Sequence, residues 1–111
     1  MELPLTINAH DIILPEPLEA VIREKAAKLD RINGHLIGCR VTIEGPGSHH
    51  RHGGPYKVRI DISLPGSELV INQKEAAEMS LAIRDAFEAA RRRLEEHRDL
   101  QLEKRKEGRT A

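Results

Sequence analysis

The chain has 111 residues, enough for one domain with one hydrophobic core. With one tyrosine, one phenylalanine and no tryptophan, the core must be aliphatic, and binding of single-stranded nucleic acid by rows of stacked aromatic rings is disfavoured. The 18 basic and 18 acidic residues cancel, and no apolar run approaches the roughly 18 residues that cross a membrane.

The balanced total hides an uneven distribution of charge along the chain. From Arg23 to Arg59 there are eight Lys/Arg against three Asp/Glu, whereas residues 1–22 contain four acids and no Lys/Arg. Such polarisation suits the binding of a polyanion through one surface. A soluble protein with well-mixed surface charge is the alternative interpretation.

The first predicted elements are a strand and a helix. Apolar and polar residues alternate from Leu5 to His10, the period of a strand with one buried face. A helix is predicted to begin at Glu16, between two prolines, because proline is tolerated in the first turn and acids favour that end of the helix. It is expected to end at Asn33-Gly34.

Three more strands are predicted downstream. The second covers residues 38–44 and is followed by a breaker-rich loop from Gly45 to Pro55. The third, Tyr56 to Leu64, alternates without a fault and is predicted to lie centrally in the sheet. A turn then leads to a fourth strand, Glu68 to Asn72.

A long amphipathic helix is predicted from about Lys74, because no helix breaker occurs before Gly108. Its apolar stripe weakens beyond Leu94. We therefore expect residues 1–97 to form the single domain and residues 98–111 to be a basic helix end that projects or frays.

The order β-α-β-β-β-α predicts an α+β fold. The helix between the first two strands makes them parallel, and the remaining strands form an antiparallel meander. Every strand alternates, so one face of this four-stranded mixed sheet is buried. Both helices are expected on that face, as a two-layer sandwich, which leaves the other face open and polar.

Basic residues occur on both predicted helices. Lys25 falls within the apolar stripe of the first helix, so its stem either covers the core edge or carries its ammonium group outward to a phosphate. On the second helix, arginine recurs every seven residues, at Arg84, Arg91, Arg98 and Arg105. This band is either a phosphate-binding stripe or a solvated face with internal ion pairs such as Glu88 with Arg92.

The predicted loop before the third strand contains His49, His50 and His52 beside Arg51. Their spacing matches no metal motif, so no metal site is predicted, although a surface site is an open alternative. The favoured interpretation is a loop that becomes cationic at or below about pH 6.5 and contacts a phosphate.

Cys39 is the only cysteine, so no internal disulfide can form. With no signal-peptide pattern at the start, this favours a cytoplasmic protein. Cys39 points inward on a predicted strand and is interpreted as a core residue rather than a nucleophile. Because no nucleophile–base signature, phosphate-cradling glycine motif or paired zinc ligands are found, we expect no enzyme and no cofactor.

The element order and three short motifs resemble the ribosome hibernation promoting factor and ribosome-associated inhibitor family, historically labelled sigma-54 modulation proteins. The motifs are Lys25-Ala26-Ala27-Lys28-Leu29, Ile60-Asp61-Ile62, and Glu78-Met79-Ser80-Leu81-Ala82-Ile83. The resemblance covers about residues 3 to 97.

This resemblance implies a small cytosolic protein that binds the small ribosomal subunit. Family members sit on 16S rRNA, where tRNA and mRNA lie, and block translation in resting or stressed cells through basic residues of both helices. The pattern places such residues at Lys25, Lys28 and Arg92. Two further basic positions of the family are occupied by Ala89 and Glu96, and a usual tyrosine by Ser80.

The leading hypothesis is therefore a translation inhibitor that binds small-subunit rRNA by occupancy, without catalysis, and has neither a membrane nor a small-molecule partner. The residues predicted to contact RNA are Lys25, Lys28, Arg31, Arg91 and Arg92, with Lys57 and Arg59 as additional contacts. The alternative is a protein-interaction module on the same fold, in which the second helix binds a protein, self-association included.

Overall fold

The computed structural model describes the backbone of residues 4–32, 36–46 and 55–109, and their side chains except those of Gln73 and residues 105–109. The elements are β1 (Leu5–His10), α1 (Glu16–Ile32), β2 (Gly38–Glu44), β3 (Tyr56–Leu64), β4 (Ser67–Ala76) and α2 (Met79–Arg109). The predicted α+β order is confirmed. The predicted histidine loop lies largely outside the described residues.

The four strands form one mixed sheet in the order β1-β2-β3-β4. β1 runs parallel to β2, and β2, β3 and β4 are antiparallel neighbours, as predicted. The register aligns one row of apolar residues across the sheet, because Ile7 lies opposite Val41, Val41 opposite Ile60, and Ile60 opposite Ile71. The apolar residues that alternate with polar residues along each strand therefore form one continuous apolar face of the sheet.

One hydrophobic core contains the buried residues of the sheet and of both helices. β3 contributes alternate residues such as Val58 and Ile60, and α1 contributes Ile22, Ala26 and Leu29 at helical spacing. A shared core of this kind is what two helices on one face of the sheet would produce. The two-layer arrangement itself stays a prediction.

The start of α2 differs from the prediction. β4 continues to Ala76, and α2 begins at Met79 rather than near Lys74. The sequence from Lys74 to Glu78 favours helix by propensity, but Lys74, Glu75 and Ala76 pair with the first residues of β3. The ladder to β3 outweighs local helix propensity, which is a weak determinant of structure. The pairing also shifts register between Val58 and Ile60.

α2 extends well beyond the core. Leu94 is its last buried residue among those described, and the helix continues to Arg109. Every described side chain from Arg98 to Lys104 is exposed, including Leu100 and Leu102. The domain boundary at residue 97 stays a prediction.

A close backbone contact joins the end of β1 to the end of β2. The Gly45 N–H donates a hydrogen bond of 2.9 Å to the His10 carbonyl oxygen. A Cβ at Gly45 would lie 1.9 Å from Ile12 Cγ2 and 2.7 Å from the Asp11 carbonyl oxygen. Asp11 itself has a left-handed φ of 58°. A side chain at position 45 would overlap these atoms, so glycine is required there.

Neither α1 nor α2, over the part of the chain that the structure describes, combines enough length with enough apolar character to cross a membrane.

Candidate nucleic-acid interface

α1 presents three of the predicted RNA-binding residues at three-residue intervals. Lys25 is half-buried, which agrees with a stem that covers the edge of the core. Lys28 and Arg31 are exposed on the following turns. Lys28 Nζ lies 3.6 Å from Glu24 Oε1, an exposed pair on the same helix.

α2 presents Arg91 and Arg92 one turn after Glu88. Arg91 donates a hydrogen bond to Glu88 and another, of 2.9 Å, to Glu95 Oε1. Arg92 Nε lies 3.8 Å from Glu88 Oε1, which is the pair that the sequence spacing predicts. The Arg91–Glu88 pair was not predicted.

Basic residues of both helices act on the charge of Glu88. The pKa of Glu88 lies below its ordinary value, first because Arg91 donates a hydrogen bond to it, and further because of the positive charges of Arg91, Arg92 and Lys25. Partial desolvation opposes this shift. The charge of Lys25 on α1 therefore acts on Glu88 of α2, whose ion pairs among the described residues are with Arg91 and Arg92. We call Lys25, Glu88, Arg91 and Arg92 the helix cluster.

The remaining predicted contacts lie on a different surface. Val58 and Ile60 point into the core that both helices share, so the alternating residues Lys57 and Arg59 point to the opposite face of the sheet. Lys57 Nζ lies 3.9 Å from Glu75 Oε1, and Arg59 Nη2 lies 3.1 Å from Asp61 Oδ1. The seven predicted residues thus divide between two surfaces.

Arg40 is a basic residue of this sheet face that the site prediction omitted. It lies on β2 directly opposite Asp61 and is exposed. Together with Arg59 and Asp61 it lines two shallow depressions of about 380 and 430 Å³. Its outward position in the alternating pattern of β2 was the available signal. That Arg40 lies beside Asp61 and Arg59 of β3 follows only from the register of the two strands.

The arginines that recur every seven residues on α2 form ion pairs with nearby acids wherever their side chains are described. Arg84 Nη2 lies 3.4 Å from Asp85 Oδ1, and Arg98 Nε lies 3.6 Å from Asp99 Oδ1. The side chain of Arg105 is outside the described set. These exposed pairs fit the interpretation of a solvated face, and such pairs are weak enough for a phosphate to replace them.

Cys39 is a core residue in the structure, as interpreted from its strand position. Burial, with a smaller contribution from Asp61, raises the pKa of the Cys39 thiol to about 12. The thiol is therefore neutral at physiological pH. No group of three metal-binding side chains occurs among the described residues, and the predicted histidines, His49, His50 and His52, lie outside them.

The family model described as Sigma 54 modulation protein / S30EA ribosomal protein matches residues 5–107. The chain belongs to this family. The resemblance inferred from the lysine-containing motif, the β3 motif and the entry to α2 is confirmed. The matched region contains the whole sheet, α1 and α2 as far as residue 107.

One curated relative is the ribosome hibernation promotion factor of Deinococcus radiodurans, which is 24% identical over 105 residues. The aligned region covers 93% of this chain and 53% of that protein, so this family member spans about half the length of its relative.

Two solved structures share the fold. The N-terminal domain of Thermus thermophilus Protein Y has a TM-score of 0.66 at 17% identity and covers 88% of this chain and 100% of that domain. A ribosomal subunit interface protein from Coxiella burnetii has a TM-score of 0.70 at 14% identity, covering 87% and 99%. At these identities the likeness establishes the architecture alone.

Three positions that depart from the expected family pattern lie along α2. Ala89 is half-buried and packs against the core, whereas Ser80 and Glu96 are exposed. Glu96 thus adds a negative charge to the surface of the helix, one turn beyond Arg92. The basic surface of α2 is concentrated at Arg91, Arg92 and Arg93 instead.

Proposed function

We propose that this Sigma 54 modulation / S30EA family member binds the rRNA of the small ribosomal subunit and blocks translation in resting or stressed cells. It would act by occupying the surface where tRNA and mRNA bind, without catalysis. The observation that carries this proposal is the helix cluster, where two arginines of α2 pair with one carboxylate on which the charge of a lysine of α1 also acts. The hibernation and subunit-interface names of its relatives support the same conclusion.

The proposed binding is electrostatic and largely independent of base sequence. Arginine presents a planar fork of donors that fits two phosphate oxygens, and lysine adds a compact positive charge. Lys28 and Arg31 extend the basic surface of the helix cluster along α1. The ion pairs that a phosphate would replace are exposed, and exposed pairs are held only weakly. Charge-assisted hydrogen bonds to phosphate offset their loss.

The sheet face would contribute separately. Lys57 and Arg59 point away from the core to which both helices contribute, so they present a surface separate from the helix cluster. We propose that these two residues contact another rRNA segment, with Arg40 beside them. A ribosomal site would then enclose the protein between two RNA elements in the cytoplasm.

The test is co-sedimentation of the purified protein with isolated ribosomal subunits at low and moderate salt. We expect migration with the small subunit that weakens as salt rises, since phosphate contacts release counterions. Lys25→Glu should weaken this migration. Lys74→Glu, a matched charge reversal at an exposed β4 residue, should leave it unchanged.

Two results would refute the proposal. The first is a protein that stays at the top of the gradient at both salts while another family member sediments with the small subunit. The second is equal binding by wild type and Lys25→Glu, which would remove the helix cluster from the interface.

A second candidate function is a protein-interaction module that retains this fold. It is favoured by two exposed leucines on the end of α2, Leu100 at 58% and Leu102 at 48% exposure. An apolar contact with a protein, such as a second copy, would persist at high salt. Sedimentation equilibrium of wild type and of Leu100→Ser/Leu102→Ser over a concentration series tests it. If the protein were a monomer at every concentration, self-association would be excluded and the partner would have to be a different protein.

A further inference from the structure

Glu88 is the acidic residue on which the basic residues of both helices converge. Its carboxylate accepts a hydrogen bond from Arg91 and lies 3.8 Å from Arg92 Nε. The charge of Lys25 on α1 acts on the same carboxylate. Two of the five helix residues that we propose as phosphate contacts, Arg91 and Arg92, therefore share one negative partner.

A phosphate and Glu88 would compete for the same donors. An arginine fork that is occupied by a carboxylate must turn or release it before it can grip an oxyanion of the RNA backbone. A carboxylate that stays beside a bound phosphate repels it. Among the ion pairs of the described residues, Arg92 has Glu88 as its partner, while Arg91 also contacts Glu95 at 2.9 Å.

We propose that Glu88 is an internal competitor of the RNA backbone, and that it holds the affinity of the helix cluster below what its three cations would reach alone. This inference rests on the proposed function. The pairs involved are accessible, with side-chain exposures of 47% for Glu88, 43% for Arg91 and 72% for Arg92. Exposed pairs exchange partners readily, so Glu88 weakens binding without blocking it.

The size of the effect follows from the charge of the cluster. Lys25, Arg91 and Arg92 supply three positive charges and Glu88 removes one, so Glu88→Gln raises the net charge by one. One additional neutralised phosphate contributes a salt-dependence slope of about 0.7–0.9, which near 0.1 M salt corresponds to roughly fivefold to tenfold in affinity. We expect Glu88→Gln to tighten binding by that factor and to steepen the salt dependence accordingly.

Glu19→Gln is the matched control. Glu19 is an exposed helical acid that pairs with Arg23 at 2.8 Å, a residue outside the predicted site. Glu19→Gln makes the same change in net charge and also breaks one helical ion pair, but it frees none of the proposed contacts. The comparison therefore separates the position of Glu88 from its charge.

Two probes are titrated with wild type, Glu88→Gln and Glu19→Gln, at two salt concentrations. One is the isolated small ribosomal subunit and the other is a short RNA duplex, and the dissociation constant is measured for each. Glu88→Gln is also introduced into an Arg91→Ala/Arg92→Ala background, where most of its gain should disappear because only Lys25 of the three cations remains. Thermal unfolding of each variant verifies that the fold is intact.

Tighter binding of both probes by Glu88→Gln, unmatched by Glu19→Gln, supports the inference. Equal effects of the two variants, or weaker binding by Glu88→Gln, overturn the role of Glu88 while ribosome binding by wild type stands. If no variant binds the subunit but Glu88→Gln still tightens the duplex, the proposed function fails and the competitor role holds. If no variant binds either probe, both are overturned.

Discussion

At the scale of single residues, the sequence predicts which positions of the site are charged, whereas the packing of the helices determines which charges act on one another. Lys25, Arg91 and Arg92 were predicted as a basic site from composition, helical spacing and the family motif. Glu88 was predicted only as a local partner of Arg92. The effect of the Lys25 charge on Glu88 depends on how α1 and α2 pack, which no pattern within either helix encodes. Sequence patterns therefore predicted the cations of the proposed site but not the carboxylate that offsets their charge.

Cys39 provides a residue-scale prediction about pH. Its thiol has a pKa raised from 9.0 to about 12 by burial and Asp61, so the folded state keeps the proton that the unfolded chain loses. This contribution to stability is complete below pH 9.0 and is lost as the pH rises towards about 12. We expect the free energy of unfolding to fall there by up to about 1.4 kcal/mol per pH unit more in wild type than in Cys39→Ala.

The measurement is urea denaturation of both proteins at several pH values between neutral and strongly alkaline. Effects of alkaline pH that both proteins share cancel in the comparison with Cys39→Ala. Parallel stability curves for the two proteins would show that the thiol ionises equally in the folded and unfolded chains.

At the scale of elements, strands were predicted more accurately than the boundary between the last strand and helix. β3 was predicted with its observed bounds, because its alternation from Tyr56 to Leu64 reflects burial on one side. The segment Lys74–Glu78 was misassigned because its first three residues, despite high helix propensity, pair with β3 and extend β4 to Ala76. Long-range pairing of this kind leaves no periodic signal in five residues.

The end of α2 allows an element-scale prediction. Deletion of residues 98–111 should change the free energy of unfolding by less than about 1 kcal/mol, since no side chain described from Arg98 to Lys104 is buried. Leu94→Ala, which truncates the last buried side chain of the helix, should cost about 2–5 kcal/mol. Urea denaturation of both variants is the measurement. A deletion as costly as Leu94→Ala would place the domain boundary beyond residue 97.

At the scale of the whole molecule, the predicted site becomes two surfaces, one on the helices and one on the sheet face that points away from the core. This division was implicit in the sequence, since Lys57 and Arg59 alternate with the inward residues of β3 and both helices were expected on the inward face. The site prediction grouped residues by charge and did not apply the strand alternation to them. Arg40 was omitted for the same reason.

Opposite surfaces should act independently in binding. If both contact rRNA, the losses in binding free energy caused by Lys25→Glu and Arg59→Glu should add in the double variant within about 0.5 kcal/mol, because the sites share no partner. Dissociation constants for the isolated small subunit provide the four values required. If Lys25→Glu abolished binding and Arg59→Glu left the dissociation constant unchanged, the interface would be restricted to the helices.

The long, exposed end of α2 also determines how the molecule moves through a solvent or a gel matrix. The chain measures 61 × 26 × 19 Å, and its radius of gyration is 16.0 Å, against about 13 Å for a compact domain of this length. A rod-like monomer has more hydrodynamic drag than a sphere of equal mass. On a size-exclusion column it would elute early, at the apparent mass of a larger particle. An early peak would therefore be no sign of a dimer, and light scattering, which reports mass independently of shape, is needed to assign it.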